Sequence, residues 1–235
     1  MERLAHRNLF LAALPDKELA CLEPMLTQVE LRQGDLLSEP GETLAHVLFI
    51  ESGMISLLTT MQDGSAIESA TLGREAIFGV LGALGSHRAN TRAVVQITGS
   101  AQQMRVGDFR DAVDKSPLLR NLVLLSSELT LAQVQQTAAC NALHSVERRF
   151  CRWILQVRDR TDSDEIELTH DFVAQMLAVR RPTVSLIAQE IQAAGLIRYS
   201  RGRITILDRA GLERIACECV GVLRTKTKSV LRALA

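Results

Sequence analysis

No apolar run in the sequence approaches the roughly 18 consecutive residues that a membrane-spanning helix needs. The opening residues, MERLAHRNLFLAALPDKEL, are broken by charges and a proline where a secretory leader would be uninterrupted. A cytoplasmic protein without membrane attachment is expected. Cysteine is scarce and odd in number: Cys21, Cys140, Cys151, Cys217 and Cys219 are scattered, which excludes a disulfide framework and fits a reducing compartment. Cys217 and Cys219, two apart in what reads as a helix, are expected to point to different sides and to hold no metal by themselves. Aromatic residues make up only 3% of the chain and its five histidines are dispersed. There is no glycine-rich phosphate loop, no clustered His/Cys/Asp metal set and no nucleophile elbow, so the chain is expected not to be an enzyme.

Net charge is also lacking, with 27 Lys/Arg against 27 Asp/Glu. That excludes a uniformly basic nucleic-acid binder, but the distribution is uneven. Residues 1–143 carry 11 basic against 16 acidic side chains, and residues 144–235 carry 16 against 11. Unless this segregation is chance, only the second half meets a polyanion. At 235 residues, 47% of them apolar, the chain has material for one large core or two modest ones.

What is present is a clear order of parts. Leu9, Phe10, Ala13 and Leu14, then Leu19, Leu22 and Leu26, predict short helices interrupted at Pro15. From about 27 to 106, β-rich runs (47–50, 54–58, 93–97) alternate with turn glycines at 34, 41, 53, 64, 73 and 99. Asp63-Gly64 is a hairpin signal, and many short strands at even spacing indicate a roll. After Pro117, apolar positions recur every 3.5 residues at Leu118, Leu122, Leu125, Leu129 and Ala132, ending on Gln136. That period predicts a long helix whose seam pairs with a second copy, the alternative being a helix laid along the roll. Residues 141–145 read as a hinge, and Ser145 as the cap of a helix burying Val146, Phe150, Trp153, Ile154 and Val157.

Residues 168–208 carry the function. Thr169 caps a helix with Phe172, Val173, Met176 and Leu177 inward, and residues 178–180 are a tight turn. Pro182 opens a second helix with Val184, Ile187, Ala188 and Ile191 inward, and Gly195 ends it. Two helices so joined form a helix-turn-helix, whose second helix enters the DNA major groove N-terminus first. Ile197–Tyr199 and Arg203–Leu207 then predict a hairpin with a basic tip, a wing beside the groove.

This order resembles the Crp/Fnr superfamily of bacterial transcription regulators over nearly the whole chain. The resemblance rests on the roll, the long helix, the hinge NALHSVERRF, and LAVRRPTVSLIAQEIQAAGLI followed by RGRITIL. It implies an α+β protein: a cyclic-nucleotide-binding-like β-roll with N-terminal helices (1–115), a dimerisation helix and hinge (116–144), a winged helix-turn-helix (145–220) and a basic tail (221–235). The implied partners are double-stranded DNA, a second copy of the chain and RNA polymerase. The expected DNA-contacting set is Thr169, Arg180, Arg181, Pro182, Thr183, Ser185, Leu186, Gln189, Arg201 and Arg203. Arg181 is expected to read a base, Arg180 or Thr183 to hold phosphate, and Arg201 and Arg203 to touch the backbone. Phosphate contact alone is the alternative for the arginine pair. Relatives commonly carry a glutamate and an arginine where this chain has Pro182 and Leu186, which implies a different operator.

In cyclic-nucleotide-binding relatives a Gly-Glu pair meets the ribose and an Arg-Ser or Arg-Thr pair the phosphate. Here Gly79 is followed by Val80, and Thr91-Arg92 presents the second pair in reversed order. The family's long-helix contacts are replaced near Val134 and Gln135. Tight cyclic AMP binding is therefore not expected, although Arg88 or Arg92 offers a charge to another anion. An iron–sulfur cluster needs about four thiolates, which the N-terminal half lacks. Haem ligation by His6, His46, His87 or His144 stays open, and the sequence assigns no cofactor, metal or effector. A regulatory protein whose winged domain contacts another protein is the competing reading, because fold alone does not decide function.

Overall fold

A computed structural model describes residues 6–232. The chain divides into two compact units. The first takes the chain up to Leu57, Ala70–Gln133 and the chain from Thr225; the second takes Leu58–Ser69 and Val134–Arg224.

In the first unit, α1 (Leu9–Ala12) and α2 (Asp16–Leu22) are separated at Pro15, as expected, and a 3-10 turn follows at Glu23–Met25. Asn8 caps α1: its side-chain oxygen accepts from the Phe10 and Leu11 amides, and its amide group donates to the Ile50 and Ala76 carbonyls. An asparagine with 0% exposure is tolerated only because each polar atom is so paired. The strands are β1 (Thr27–Leu31), β2 (Leu36–Ser38), β3 (His46–Thr60), β4 (Ala66–Leu72) and β5 (Ile77–Phe78), then, after α3 (Val80–Leu84), β6 (Arg92–Arg105). They form one sheet in the order β1-β6-β3-β4, with β2 on β6 and β5 on β3. The expected hairpin at Asp63-Gly64 joins β3 to β4.

Gly53 and Gly99, expected as turns, lie inside the long strands β3 and β6, so the runs 47–50 and 54–58 are a single strand. Gly53 has φ +80°, and a side chain there would meet the Ile97 carbonyl at 2.5 Å. A Cβ on Gly99 would meet the Ser52 carbonyl at 2.1 Å. The two glycines let the backbones of β3 and β6 approach where a bend is needed.

Helix α4 (Val106–Lys115) leads into α5 (Pro117–Leu143), whose residues up to Gln133 belong to the first unit and the rest to the second. The 3.5-residue stripe is present, but much of it is turned inward. Leu122 and Leu129 are 1% and 8% exposed in the chain's own core, beside Leu119 and Val123, and Leu118 and Leu125 pack at its margin. Periodicity reports that a stripe is covered and not by what. The exposed leucines of this helix are Leu124, Leu131 and Leu143.

The second unit contains α6 (Val146–Thr161), β7 (Glu165–Glu167), α7 (His170–Leu177), α8 (Arg181–Ala193), β8 (Ile197–Ser200), β9 (Arg203–Ile206) and α9 (Arg209–Ile215). Ser145 caps α6, which buries Phe150, Trp153, Ile154 and Val157. The segment expected as a basic tail is instead largely the helix α10 (Cys219–Arg232). Its Arg224 bonds Asp159 at 2.6 Å and Glu213 at 2.8 Å, anchoring the helix to α6 and α9. Cys217 precedes α10 in a turn, so the expectation that it and Cys219 diverge on one helix is not met. Both thiols are buried beside Cys140. No helix among the described residues is long and apolar enough to cross a membrane.

Replacing Gly99 with Ala is expected to lower unfolding stability by about 2 kcal/mol, since its Cβ has no space. Gly107→Ala in α4, where a Cβ meets nothing within 4 Å, should leave stability equal or higher. Denaturant midpoints of the two variants check this, and equal midpoints would remove the close-approach account.

Candidate nucleic-acid interface

The helix-turn-helix is built as its local sequence dictates. Thr169 Oγ1 accepts from the Phe172 amide at 3.3 Å and starts α7. The helix ends on Ala178 in the left-handed region, φ 51° and ψ 49°. A glycine would suit that position better, and alanine there costs on the order of 1 kcal/mol. After the turn, Arg180 takes the extended cap conformation and α8 opens with Arg181 and Pro182, where the missing N–H leaves no bond unmade. Gly195, at φ 74°, follows the helix in the left-handed form expected of it.

Helix α8 then separates its residues cleanly. Val184, Ile187, Ala188 and Ile191 are buried, while Arg180, Arg181, Pro182, Leu186 and Gln189 are exposed, and Thr183 and Ser185 are half-buried between the faces. Leu186 is 57% exposed, an apolar side chain presented to solvent in the middle of a polar face. The wing is β8 and β9, joined through Arg201 (φ 50°) and Gly202 (φ 77°). Beyond the expected hairpin, β7 pairs with β9 and makes a three-stranded sheet.

Two of the expected arginines are already paired. Arg181 lies 3.3 Å from Asp171 on α7, and Arg203 lies 2.7 Å from Glu167 and 3.8 Å from Glu165 on the neighbouring strand. All five side chains are more than half exposed, so the pairs are solvent-screened and readily exchanged. Arg180 and Arg201 have no ion pair among the described residues.

His170 was not singled out from the sequence, yet it joins three elements. Its ring stacks on Tyr199 of the wing at 4.2 Å and 11°, and its Nδ1 is 2.9 Å from Ser185 Oγ on α8. Tyr199 in turn donates its hydroxyl to the Leu168 carbonyl at 3.0 Å. Burial, and then the nearby Arg181 guanidinium, hold the His170 pKa below its ordinary value against a weaker opposing effect of Asp171. The neutral ring is the form that fits.

The larger cavity of the roll, about 460 Å³, is lined by Val29, Glu42, Thr43 and His46 among others. A second pocket, at the expected effector residues, is lined by Ser38, Leu44, Gly79, Val80 and Thr91, with Ser127 and Thr130 from α5. This second pocket measures about 50 Å³, against the roughly 300 Å³ at which small-molecule pockets begin. Of the residues expected there, Gly79, Val80 and Thr91 are present. Arg88 is instead exposed and donates to the Gly41 carbonyl at 2.6 Å, and Arg92 pairs with Glu39 at 3.3 Å. Val134 and Gln135 do not line it; Ser127 and Thr130, one to two turns earlier on α5, do.

A depressed His170 pKa means that the unfolded chain takes up this proton first. Its stabilising contribution is complete above about pH 6.5 and is lost as pH falls through the lower folded value. The His170 ring resonances should titrate with a midpoint below 6.5, and His170→Phe, which keeps the stack, should flatten stability between pH 7 and 5. A midpoint at or above the ordinary value would exclude this account.

Residues 28–116 match the profile of the cyclic nucleotide-binding domain, and residues 148–215 match that of the Crp-like helix-turn-helix domain. The global nitrogen regulator of Synechococcus elongatus is 22% identical over 220 residues, spanning 90% of this chain and 98% of that protein. Among solved structures, FixK2 from Bradyrhizobium japonicum superposes with a TM-score of 0.69 at 15% identity, covering 82% of this chain and 98% of its own. A CRP-family transcriptional regulator from Thermus thermophilus gives 0.67 at 20% identity, covering 80% and 96%. These likenesses show a shared fold. With both halves matched by profile and in the same order, the chain belongs to the Crp/Fnr superfamily of helix-turn-helix transcription regulators.

Proposed function

We propose that the protein acts as a homodimer on a two-fold-symmetric DNA site, reading each half-site with the exposed face of α8 under allosteric control from a roll that does not take cyclic AMP. The observation that carries the reading is the sorting of α8, with its first turn and outer face given to Arg180, Arg181, Leu186 and Gln189 and its inner face wholly apolar. In this reading Arg181 leaves Asp171 to bond guanine O6 and N7, Leu186 meets a thymine methyl, and Arg180 or Thr183 holds phosphate. Arg201 and Arg203 contact the backbone from the wing, which positions without specifying. Contact with RNA polymerase belongs to the same reading. A winged domain devoted to a protein partner is not favoured by a profile match to a DNA-binding family.

Dimerisation is assigned to the outer stripe of α5, Leu124 and Leu131, in place of the seam expected from periodicity. These leucines are 63% and 57% exposed and seven residues apart, two turns on one face. The cyclic AMP part is supported by three features: buried Val80 where relatives place a glutamate, both nearby arginines engaged elsewhere, and the small space beside Gly79, Val80 and Thr91. An unmet ribose hydroxyl alone costs about 1–3 kcal/mol.

A binding selection from genomic fragments with the full chain, without added ligand and at two salt concentrations, tests the DNA reading. An inverted repeat with half-sites about 34 Å apart is expected. Arg181→Ala should lose about 5- to 150-fold preference at one base per half-site, whereas Arg201→Ala should weaken all sequences alike. Unchanged preference refutes the Arg181 role, and absence of binding at both salts returns the protein-contact reading.

Light scattering should give about twice the chain mass of 25.9 kDa, falling to one chain mass when Leu124 and Leu131 are both replaced by Glu. A variant that remains dimeric would move the interface elsewhere.

A further inference from the structure

Four side chains converge where α5 ends and α10 begins. Cys140 is on the last turn of α5 and His144 follows it by four residues, one helical turn, so both face the same way. Cys217 and Cys219 flank Glu218 in the turn into α10. The sulfurs of Cys140 and Cys217 are 3.5 Å apart, and the Cys219 sulfur is 3.6 Å from His144 Nδ1. All four donor atoms lie within 4.8 Å of one another. The three cysteines have exposures of 0–2% and are free thiols.

That grouping is compact enough for one tetrahedral ion. With Zn–S of about 2.3 Å and Zn–N of about 2.0–2.1 Å, tetrahedral angles separate two sulfurs by about 3.8 Å and sulfur from nitrogen by about 3.5 Å. The Cys140–Cys217 and Cys219–His144 pairs are close to those values, and the remaining pairs lie within 4.8 Å. They converge on a point, whereas an iron–sulfur cluster spreads its thiolates around a larger body. The set also holds four protein donors and no open position, the composition of a structural site.

The surroundings fit a metal–thiolate centre in three independent ways. Glu218 Oε1 is 3.2 Å from His144 Nε2, the nitrogen turned away from the thiols, and so fixes the tautomer that leaves Nδ1 free to ligate. Gln136 donates its amide to the Cys219 sulfur at 3.0 Å, a bond that favours the thiolate. Arg149 and Arg152 are 7% and 3% exposed, have no carboxylate partner among the described residues, and act electrostatically on Cys140. Two buried cations near Cys140 have no carboxylate to balance them; three thiolates, a neutral imidazole and a divalent ion would supply a net negative charge there.

We propose that Cys140, His144, Cys217 and Cys219 bind one zinc ion, which fastens the end of the long helix to the start of the last helix. The site is independent of what α8 contacts. The cysteines 140 and 217 are separated by the whole winged domain, so the ion closes a long loop at its neck and removes chain entropy from the unfolded state.

The test is metal analysis of the full chain, purified under reducing conditions after growth with zinc. About one zinc per chain is expected, with the tetrahedral visible bands and thiolate-to-metal charge-transfer absorption on replacement by cobalt. Cys219→Ser and His144→Ala should each cut zinc content severalfold, whereas Cys21→Ser, at an exposed thiol outside the group, should leave it unchanged. Because a variant can fail to fold, the cobalt spectrum of the unaltered chain stands as the second readout. Chelation of the unaltered chain should also make three further thiols reactive to alkylation. Zinc content far below one equivalent, a cobalt spectrum without thiolate charge transfer, or a Cys140–Cys217 disulfide in place of the metal would each overturn the proposal.

Discussion

Helix α5 carries leucines around most of its circumference, and the protein is organised by which of them its own chain covers. The roll takes the stripe running through Leu119, Leu122, Val123 and Leu129. Polar residues on that stripe survive burial because each has a partner: Ser126 accepts from the Ile77 amide at 3.1 Å, and Gln133 donates to Thr71 at 2.7 Å. These bonds also fix the helix along its axis, since a slip of one turn would leave both groups unpaired at about 1–3 kcal/mol each. A helix so pinned has only its outer face left for another molecule, and the presentation of its own Ser127 and Thr130 to the pocket is set at the same time.

Much of this was legible in the sequence where the controlling physics is local. Thr169, Ser145 and Pro182 announce helix starts because capping acts over three residues, and all three stand where they were expected. The turn at 178–180 and the wing follow from the same short-range rules. Features set by distant partners were not legible. Gly53 and Gly99 looked like turns because a glycine inside a strand is explained only by the backbone opposite it. Leu122 and Leu129 show the period of a dimer seam, and the period is the same whichever surface covers them. Asp171 and Arg181 are ten residues apart and meet only through the helix crossing. The cysteine group joins residues more than seventy positions apart, and Cys217 stands outside the helix that its neighbours suggest.

His170 shows how tightly the DNA-facing elements are tied. One ring touches the recognition helix through Ser185 and the wing through Tyr199, so neither can reorient without disturbing the other. Ala178, in a backbone conformation that alanine adopts at a cost, holds the crossing of α7 and α8 from the other side of the turn. The interface is thus a rigid unit, and a change of its direction moves helix and wing together.

The carboxylates beside Arg181 and Arg203 have a further effect, on ions. An arginine that approaches DNA from water displaces condensed cations from the phosphates, and their release makes affinity fall steeply with salt. In the proposed reading Arg181 and Arg203 would instead leave carboxylates that already hold them, Asp171 for the first and Glu165 and Glu167 for the second. Carboxylates given up in this way would take up cations from solution as the phosphates shed them. The net number of ions released would then be smaller than the number of arginines in the interface, and affinity would fall less steeply with ionic strength than the basic face suggests.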